Sequence, residues 1–198
     1  YLKQFEVFKA IPSLQSDLDL RRVVWSPWTR FLTTYLWIGP KGATTGLHND
    51  DENNVLMQIR GTKRVHVISP SHRAALQPNT KYDSGTECCD ADIATLLAAH
   101  HHHDPDLMIM VANLREGDVL FIPRYWYHHV QTTSTWSLSV NSFASNPLDL
   151  LWPGVIRFLR SLAHSWCGWR RVSCVCHESR SHPTEPERSS TMEPIPNT

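Results

Sequence analysis

TTGLHNDDENNVLMQIRGTKRVHVIS, residues 44–69, carries polar side chains inside a segment whose apolar residues alternate. Val65 and Val67 share a face with Lys63, because successive strand side chains point to opposite sides of a sheet. The segments on both sides of Gly61 have strand character, and glycine suits a tight two-residue turn. The stretch therefore predicts a β-hairpin with a lysine on its buried face.

Length and composition are those of one globular domain. The chain has 198 residues, 41% of them hydrophobic and 19% charged, with a formal net charge of +0. This balance disfavours a nucleic-acid binder, because such proteins carry a basic surface. Five cysteines form no regular framework, and no stretch reaches membrane-spanning length. We expect a cytoplasmic or nuclear protein without a membrane segment, and because the chain begins at Tyr1 we expect it to be a fragment of a longer protein.

Short strand patterns recur along the chain and indicate an all-β sandwich or barrel with peripheral helices. WSLSVNSF, residues 136–143, alternates, with Asn141 on its serine-rich face. Helices are predicted near 90–101 and over 155–166. The predicted domain plan is a partial N-terminal extension at 1–31, a core domain with its C-terminal helix at 32–166, and a disordered tail at 167–198.

The first chemical motif is the pair His48 and Asp50, whose side chains point the same way if the segment is extended. His128 has the same parity as Trp126 and Val130, and it is the candidate third ligand. Two histidines and one carboxylate leave three metal positions open, as in non-haem Fe(II) oxygenases. The alternative is a chance pair, because H-x-D is common and histidines beside tryptophans are often ordinary core residues.

Lys63 is the second chemical signal, because burying an ammonium group on a valine face is costly without an anion. A dicarboxylate co-substrate would supply that anion. Thr45, Asn54 and Asn141 would add hydrogen bonds from neighbouring strands. The alternative leaves the ammonium group in solvent, with only its aliphatic stem buried.

Three segments together resemble the JmjC family, specifically the small cupin-type hydroxylases related to factor-inhibiting-HIF and JMJD5-like proteins. They are GLHNDDENNVLMQIRGTKRVHVISP, GDVLFIPRYWYHHV and SLSVNSF, which lie within Leu32 to Phe143. The resemblance implies a double-stranded β-helix, the cupin-like jelly-roll. It also implies a 2-oxoglutarate- and Fe(II)-dependent dioxygenase that consumes O2 and releases succinate and CO2.

By position, the resemblance implies a role for each motif residue. The implied Fe(II) ligands are His48, Asp50 and His128. The implied residues of the 2-oxoglutarate pocket are Lys63, which pairs with the distal carboxylate, and Thr45, Asn54 and Asn141. His129 is not expected to bind the metal, because the first histidine after the aromatic pair is the ligand in this family. Tyr35 is the candidate for the tyrosine that many relatives place against the co-substrate, and Phe143 for a later aromatic position.

The implied reaction is hydroxylation of a protein side chain. The alternatives are demethylation of N-methyl-lysine, modification of a tRNA base, and a catalytically silent cupin that binds a partner. Substrate choice is expected to depend on loops at 70–90 and 100–113.

Three other features have a simpler and a more specific interpretation. The apolar positions of the helix at 155–166 predict core packing, with a homodimer contact as the second interpretation. The histidine run at 100–103 predicts a solvated helix end rather than a metal site. Cys174, Cys176 and His177 form half of a zinc motif that Cys88 and Cys89 would complete, which we consider the weaker interpretation.

Overall fold

Two five-stranded antiparallel sheets form the framework of the protein. The computed structural model describes residues 1–18, 30–102, 107–145, 147–170 and 174. The first sheet has the order β1 (Leu2–Glu6), β2 (Arg30–Pro40), β10 (Trp136–Ser145), β4 (Asn53–Arg60) and β8 (Val119–Ile122). The second has the order β6 (Thr86–Cys88), β3 (Thr44–Asp50), β9 (Tyr127–Thr132), β5 (Lys63–Ile68) and β7 (Ile109–Leu114). The predicted all-β jelly-roll is confirmed.

The predicted hairpin around Gly61 is wrong. Strand β4 pairs with β10 and β8 in the first sheet, whereas β5 pairs with β9 and β7 in the second. Gly61 has φ +74°, a left-handed conformation that favours glycine, which agrees with the tight turn expected at this residue. The chain uses this turn to cross from one sheet to the other, and local sequence does not distinguish such a crossing from a hairpin.

The space between the sheets is apolar on one side and polar on the other. Leu56 and Ile122 from the first sheet pack against Val65, Val67 and Leu114 from the second, which ties the two sheets together. The polar side follows the serine-rich face of β10 and consists of the buried residues Gln58, Ser137, Ser139 and Asn141. Burying so many polar groups requires hydrogen-bond partners, and this polar side leads into the candidate site.

Among the described residues, three α-helices lie outside the sheets: α1 (Val7–Ala10), α2 (Ile93–His102) and α3 (Pro147–Cys167). Helix α2 begins where Asp92 Oδ2 accepts hydrogen bonds from the backbone N–H and hydroxyl of Thr95. Leu96 from α2 packs with Leu47 and Tyr127 on the outer face of the second sheet. The two helices predicted from periodicity are therefore present, at 93–102 and 147–167.

The predicted core packing of α3 is wrong. Its apolar residues share a helix face as expected, but the described part of the chain does not cover them. Phe158 is 62% exposed and Trp166 is 84% exposed, and the other exposed members of this face are Leu151, Val155, Leu159 and Leu162. Among the described residues, no helix has the length and apolar character needed to span a membrane.

Candidate metal centre

Three side chains from two neighbouring strands meet at one end of the polar interior. His48 and Asp50 come from β3, and His128 comes from β9. One ligand atom from each lies within 4.8 Å of the other two, and His128 Nε2 is 3.6 Å from Asp50 Oδ2. Within the described ranges, this is the one group of three or more metal-binding side chains at such spacing. The three residues singled out from sequence therefore converge.

Strand register produces this convergence. His48 lies directly opposite His128 in the antiparallel pair of β3 and β9, and their ring centroids are 4.2 Å apart. Asp50 follows two residues later on the same face of β3, because strand side chains alternate. His129 lies on the opposite face of β9, with its ring 5.6 Å from that of His66. Parity thus separates the two adjacent histidines, in agreement with the expectation from sequence.

Backbone carbonyl groups orient both imidazole rings. His48 Nδ1 lies 2.7 Å from the carbonyl oxygen of Gly46, and His128 Nδ1 lies 3.1 Å from that of Trp126. A carbonyl oxygen only accepts hydrogen bonds, so each Nδ1 is the donor and each Nε2 is left as the nitrogen that a metal could use. This arrangement is the usual support for histidines that bind a metal through Nε2.

Burial shifts the pKa values of two of the candidate ligands, His128 and Asp50. Burial and the neighbouring His48 lower the pKa of His128 to about 3, so its ring is neutral at physiological pH. Burial raises the pKa of Asp50, while His48, Asn54 and Thr86 oppose that rise. A carboxylate that is costly to bury and two imidazole rings form a donor set that a divalent ion would stabilise.

A chain of three side-chain hydrogen bonds leads from Trp37 to the carboxylate of Asp50. Trp37 Nε1 donates to Asn141 Oδ1 at 2.7 Å, and Asn141 Nδ2 donates to Asn54 Oδ1 at 3.0 Å. Asn54 Nδ2 in turn donates to Asp50 Oδ2 at 3.3 Å. Asn54 and Asn141, which the sequence predicts to line the co-substrate pocket, thus lie beside Asp50, where Asn54 contacts the carboxylate and Asn141 supports Asn54. Trp37 was not predicted from sequence, because its contact crosses between strands 104 residues apart.

Lys63 points into the same cavity and is 3% exposed. Its ammonium group donates to the buried Ser139 hydroxyl, and no carboxylate pairs with it among the described residues. Burial lowers the pKa of Lys63 to about 8, because the charged amine has lost most of its water. The alternative in which the amine reaches solvent is therefore wrong, and an anion entering the cavity would meet a cation in need of a partner.

The central cavity, as we call the space around these side chains, has a volume of about 250 Å³. All seven site residues predicted from sequence line it: Thr45, His48, Asp50, Asn54, Lys63, His128 and Asn141. Tyr1 also lines it, and its hydroxyl lies 3.2 Å from Thr45 Oγ1. No local pattern marks Tyr1, and it enters the site only because β1 pairs with β2.

Tyr35 does not occupy the place considered for it. It is not among the residues lining the central cavity, and its ring packs edge-on against Phe143 at 6.1 Å. Tyr1 provides the phenol that faces the cavity instead.

The alternative zinc site remains a weak hypothesis, since Cys176 and His177 lie outside the described residues. The side chains of residues 100–102 and all of residue 103 also lie outside what the structure describes.

Helix α3 is clamped to the segment that follows Asp50. Arg157 donates to both carboxylate oxygens of Asp51, at 2.7 and 3.1 Å, and its guanidinium lies 3.0 Å from Glu52 Oε1. Two-point contact between a guanidinium and a carboxylate fixes orientation as well as distance. The end of β3 is therefore held both by its sheet neighbours and by a helix from the C-terminal part of the chain.

A jelly-roll with two histidines and one carboxylate at the end of its interior has the donor arrangement of a cupin-type metal centre, which makes this group a candidate metal site. A family model described as a cupin-like domain matches residues 1–149, and the chain belongs to this family. The resemblance to JmjC proteins is also confirmed by curated relatives.

Three such relatives share 29% identity with the chain. Lysine-specific demethylase JMJ30 of Arabidopsis thaliana matches over 152 residues, covering 75% of this chain and 34% of the relative. The HSPB1-associated protein 1 homolog of Danio rerio matches over 159 residues, with coverage of 73% and 32%. Jumonji C domain-containing protein 5 of Drosophila melanogaster matches over 143 residues, with coverage of 67% and 33%. The chain thus spans about a third of the length of these relatives.

Proposed function

We propose that this protein is a 2-oxoglutarate- and Fe(II)-dependent dioxygenase that hydroxylates a protein side chain. The observation that carries the proposal is the position of Lys63, which lines the same cavity as the converging atoms of His48, Asp50 and His128. Three protein ligands leave coordination positions for a chelating keto acid and O2, while a buried ammonium suits a second carboxylate. Membership of the cupin-like family supports the same assignment.

The donor set fits Fe(II), which His48 and His128 would hold through Nε2 and Asp50 through a carboxylate oxygen. The metal, when bound, supplies the oxidising chemistry that couples decarboxylation of 2-oxoglutarate to oxidation of a substrate C–H bond. The protein would orient the co-substrate through Lys63, which lines the same cavity as the metal ligands. Thr45 and Asn141 line the cavity and add polar contacts, and Tyr1 joins them.

The direct test is succinate formation by the purified chain with Fe(II), ascorbate, O2 and 2-oxoglutarate. We expect slow succinate release without substrate and faster release when a peptide is hydroxylated. Mass spectrometry of peptides treated with the enzyme would show a gain of one oxygen atom. Binding of Fe(II) without succinate formation, over a broad peptide library, would contradict the proposal and favour a silent binding module.

Lysine demethylation is the second candidate function, because Arabidopsis JMJ30 is named as a lysine-specific demethylase. The same oxidation of an N-methyl group releases formaldehyde, so loss of a methyl group rather than gain of oxygen would identify it. Modification of a tRNA base is less well supported, since the chain has a formal net charge of +0 and no basic surface is expected from its composition.

We propose a cytoplasmic or nuclear location, which the irregular set of five cysteines supports.

Replacing Lys63 by methionine tests the co-substrate assignment. We expect the KM for 2-oxoglutarate to rise at least about thirtyfold, because removing one partner of a buried charge pair typically costs about 2–5 kcal/mol. In the unaltered protein, affinity for 2-oxoglutarate should fall as pH rises through about 8, because only the protonated amine pairs with a carboxylate. Succinate assays at several pH values measure both effects. Lys41→Met, at an exposed lysine outside the cavity, is the matched control, and an unchanged KM in Lys63→Met would refute the assignment.

We further propose that a second copy of the chain covers the apolar face of α3. A helix face with aromatic and aliphatic side chains at 151, 155, 158, 159, 162 and 166 can pack against itself about a two-fold axis. Phe158→Glu should raise the dimer dissociation constant at least about tenfold, as measured by analytical ultracentrifugation. Met108→Glu, at a residue that is 64% exposed elsewhere, should leave it unchanged. A monomeric unaltered chain at high concentration would exclude the homodimer.

A further inference from the structure

A second cavity adjoins the central one and has no part in the proposed metal site. This side cleft has a volume of about 510 Å³ and lies between the segment at 79–87 and helix α3. Asp83 and Thr86 line both cavities, so the two spaces meet at these residues. Thr86 Oγ1 also donates to Asp50 Oδ1 at 3.4 Å, which places the junction beside the metal centre.

Stacked rings give the side cleft a firm wall. Tyr82 stacks on His164 of α3, with ring centroids 3.9 Å apart and planes inclined by 14°. Trp169 meets Tyr82 edge-on at 5.9 Å, and its carbonyl oxygen accepts a hydrogen bond from His164 Nδ1 at 2.6 Å. Both Tyr82 and His164 are buried. The end of α3 is thus joined to the segment at 79–87, and the cleft is a built feature between them.

The charges that line the side cleft do not cancel. Arg73 is paired with Glu87, at 2.6 and 3.0 Å, and Arg157 is paired with Asp51. Arg160 and Arg170 also line the cleft, and none of its described carboxylates pairs with them.

The Arg170 guanidinium is already positioned by the wall of the cleft. It lies 4.6 Å from the centroid of the Trp169 ring, at a distance where a cation–π contact restricts its motion. Both Arg160 and Arg170 are exposed, so their donors are open to a ligand. The side cleft therefore presents two guanidinium groups that no described carboxylate neutralises, and guanidinium groups match carboxylates.

We propose that the side cleft binds an acidic segment of a polypeptide substrate and that an adjoining uncharged residue of this segment enters the central cavity. The second half of this statement rests on the proposed function, whereas the binding of the acidic segment does not. A bound chain that crosses the junction at Asp83 and Thr86 would bring one side chain beside Asp50. Glutamate or aspartate side chains in the remainder would meet Arg160 and Arg170.

A peptide fits this charge pattern better than a nucleic acid. Asp83 places a carboxyl group at the junction, where its negative charge would repel a phosphate. A phosphodiester backbone carries one negative charge per nucleotide, so it would place a charge at the junction as well as at the arginines. A peptide can confine its acidic residues to one end, and the formal net charge of +0 provides no long-range attraction for RNA.

Fluorescence anisotropy with two labelled peptides tests the proposal on the full chain. One peptide has a Glu- and Asp-rich half followed by a Gly, Ser and Asn half, and the other has Gln and Asn at every acidic position. We expect the acidic peptide to bind at least about tenfold more tightly, with an advantage that shrinks as salt increases. Arg160→Glu and, separately, Arg170→Glu should each remove most of that advantage.

Arg115→Glu is the matched control, because it makes the same charge change at an exposed arginine outside both cavities. It should leave the affinity unchanged, and circular dichroism would establish that every variant is folded. Equal affinity for the two peptides, or equal losses in Arg160→Glu and Arg115→Glu, would overturn the proposal. Stronger displacement of the peptide by a single-stranded RNA oligonucleotide would overturn it as well.

A second measurement places the uncharged half of the peptide. With Mn(II) added, a fluorine label in that half should show a broadened resonance, while a label at the acidic end should broaden less. Similar broadening at both ends would contradict the proposed direction of the bound chain. Peptide binding without any Mn(II) binding would leave the acidic-segment site in place and count against the proposed metal centre, so the two failures are distinguishable.

Discussion

In His128→Ala, succinate formation from 2-oxoglutarate should fall more than about 100-fold, to the level measured without Fe(II). The variant removes one of three converging ligand atoms and leaves only His48 and Asp50 of β3 to hold the ion. Neither remaining ligand can compensate, because both are fixed by the backbone and by side-chain hydrogen bonds. Binding of Co(II), followed by its visible absorption, should weaken in parallel and provides a measurement independent of turnover.

His129→Ala is the matched control for this experiment. It removes the same side chain one residue later, on the opposite face of β9, where the ring lies near His66 instead of the central cavity. We expect its succinate formation and Co(II) absorption to stay within about twofold of the unaltered protein. The opposite pattern, with activity lost in His129→Ala and kept in His128→Ala, would overturn the ligand assignment and the strand parity on which it depends.

Strand alternation is the part of the site that sequence predicts well. His48 and Asp50 face one way because they are two residues apart, and Lys63 faces the interior for the same reason as Val65 and Val67. The third ligand comes from a strand far along the chain, and the resemblance to the JmjC family, together with the parity of His128, favours His128 over His129. The direction in which each side chain faces needs only the local backbone conformation, which the apolar pattern of a strand indicates.

Contacts that depend on pairing between distant strands were not predictable in this way. Trp37 supports Asn141 across neighbouring strands, and Ser139 accepts from Lys63 across the interior. Tyr1 reaches the cavity because β1, the strand that follows it, pairs with β2, and nothing in its immediate neighbours signals that pairing. The expectation of a loop at 100–113 is wrong for its last part for a related reason. Residues 109–114 form the edge strand β7, which pairs with β5. Pairing decides these positions, and it is a property of the whole sheet.

Periodicity likewise predicts which residues share a face but not what covers that face. The apolar positions of α3 recur with helical spacing, and the same spacing would serve a core helix or a helix at a subunit contact. In β10 the alternation correctly separates Ser137, Ser139 and Asn141 from the apolar positions. The polar face is turned toward the interior. Its hydroxyl groups have hydrogen-bond partners there, because Gln58 donates to Ser137 and Lys63 donates to Ser139.

Gly61→Ala should destabilise the fold by about 3 kcal/mol or more, because two costs combine at this residue. The residue has φ +74°, where a side chain is strained, and a Cβ built there overlaps the Trp136 carbonyl oxygen and the Ser134 Oγ. The carbonyl belongs to the backbone of β10 and cannot move without disturbing the sheet. Urea unfolding followed by tryptophan fluorescence would measure the change in the free energy of unfolding.

Gly117→Ala separates the two costs, because it has φ +88° and no atom within 4 Å of its Cβ position. We expect this control to lose only about 1–2 kcal/mol, the cost of a left-handed conformation alone. The additional loss of unfolding free energy in Gly61→Ala, relative to Gly117→Ala, then measures how tightly the crossing between the sheets is packed. Since Lys63 follows two residues after that crossing, the Gly61→Ala variant should also bind 2-oxoglutarate more weakly. Equal destabilisation by the two substitutions would show that the crossing tolerates a side chain and that Lys63 is positioned by its strand partners alone.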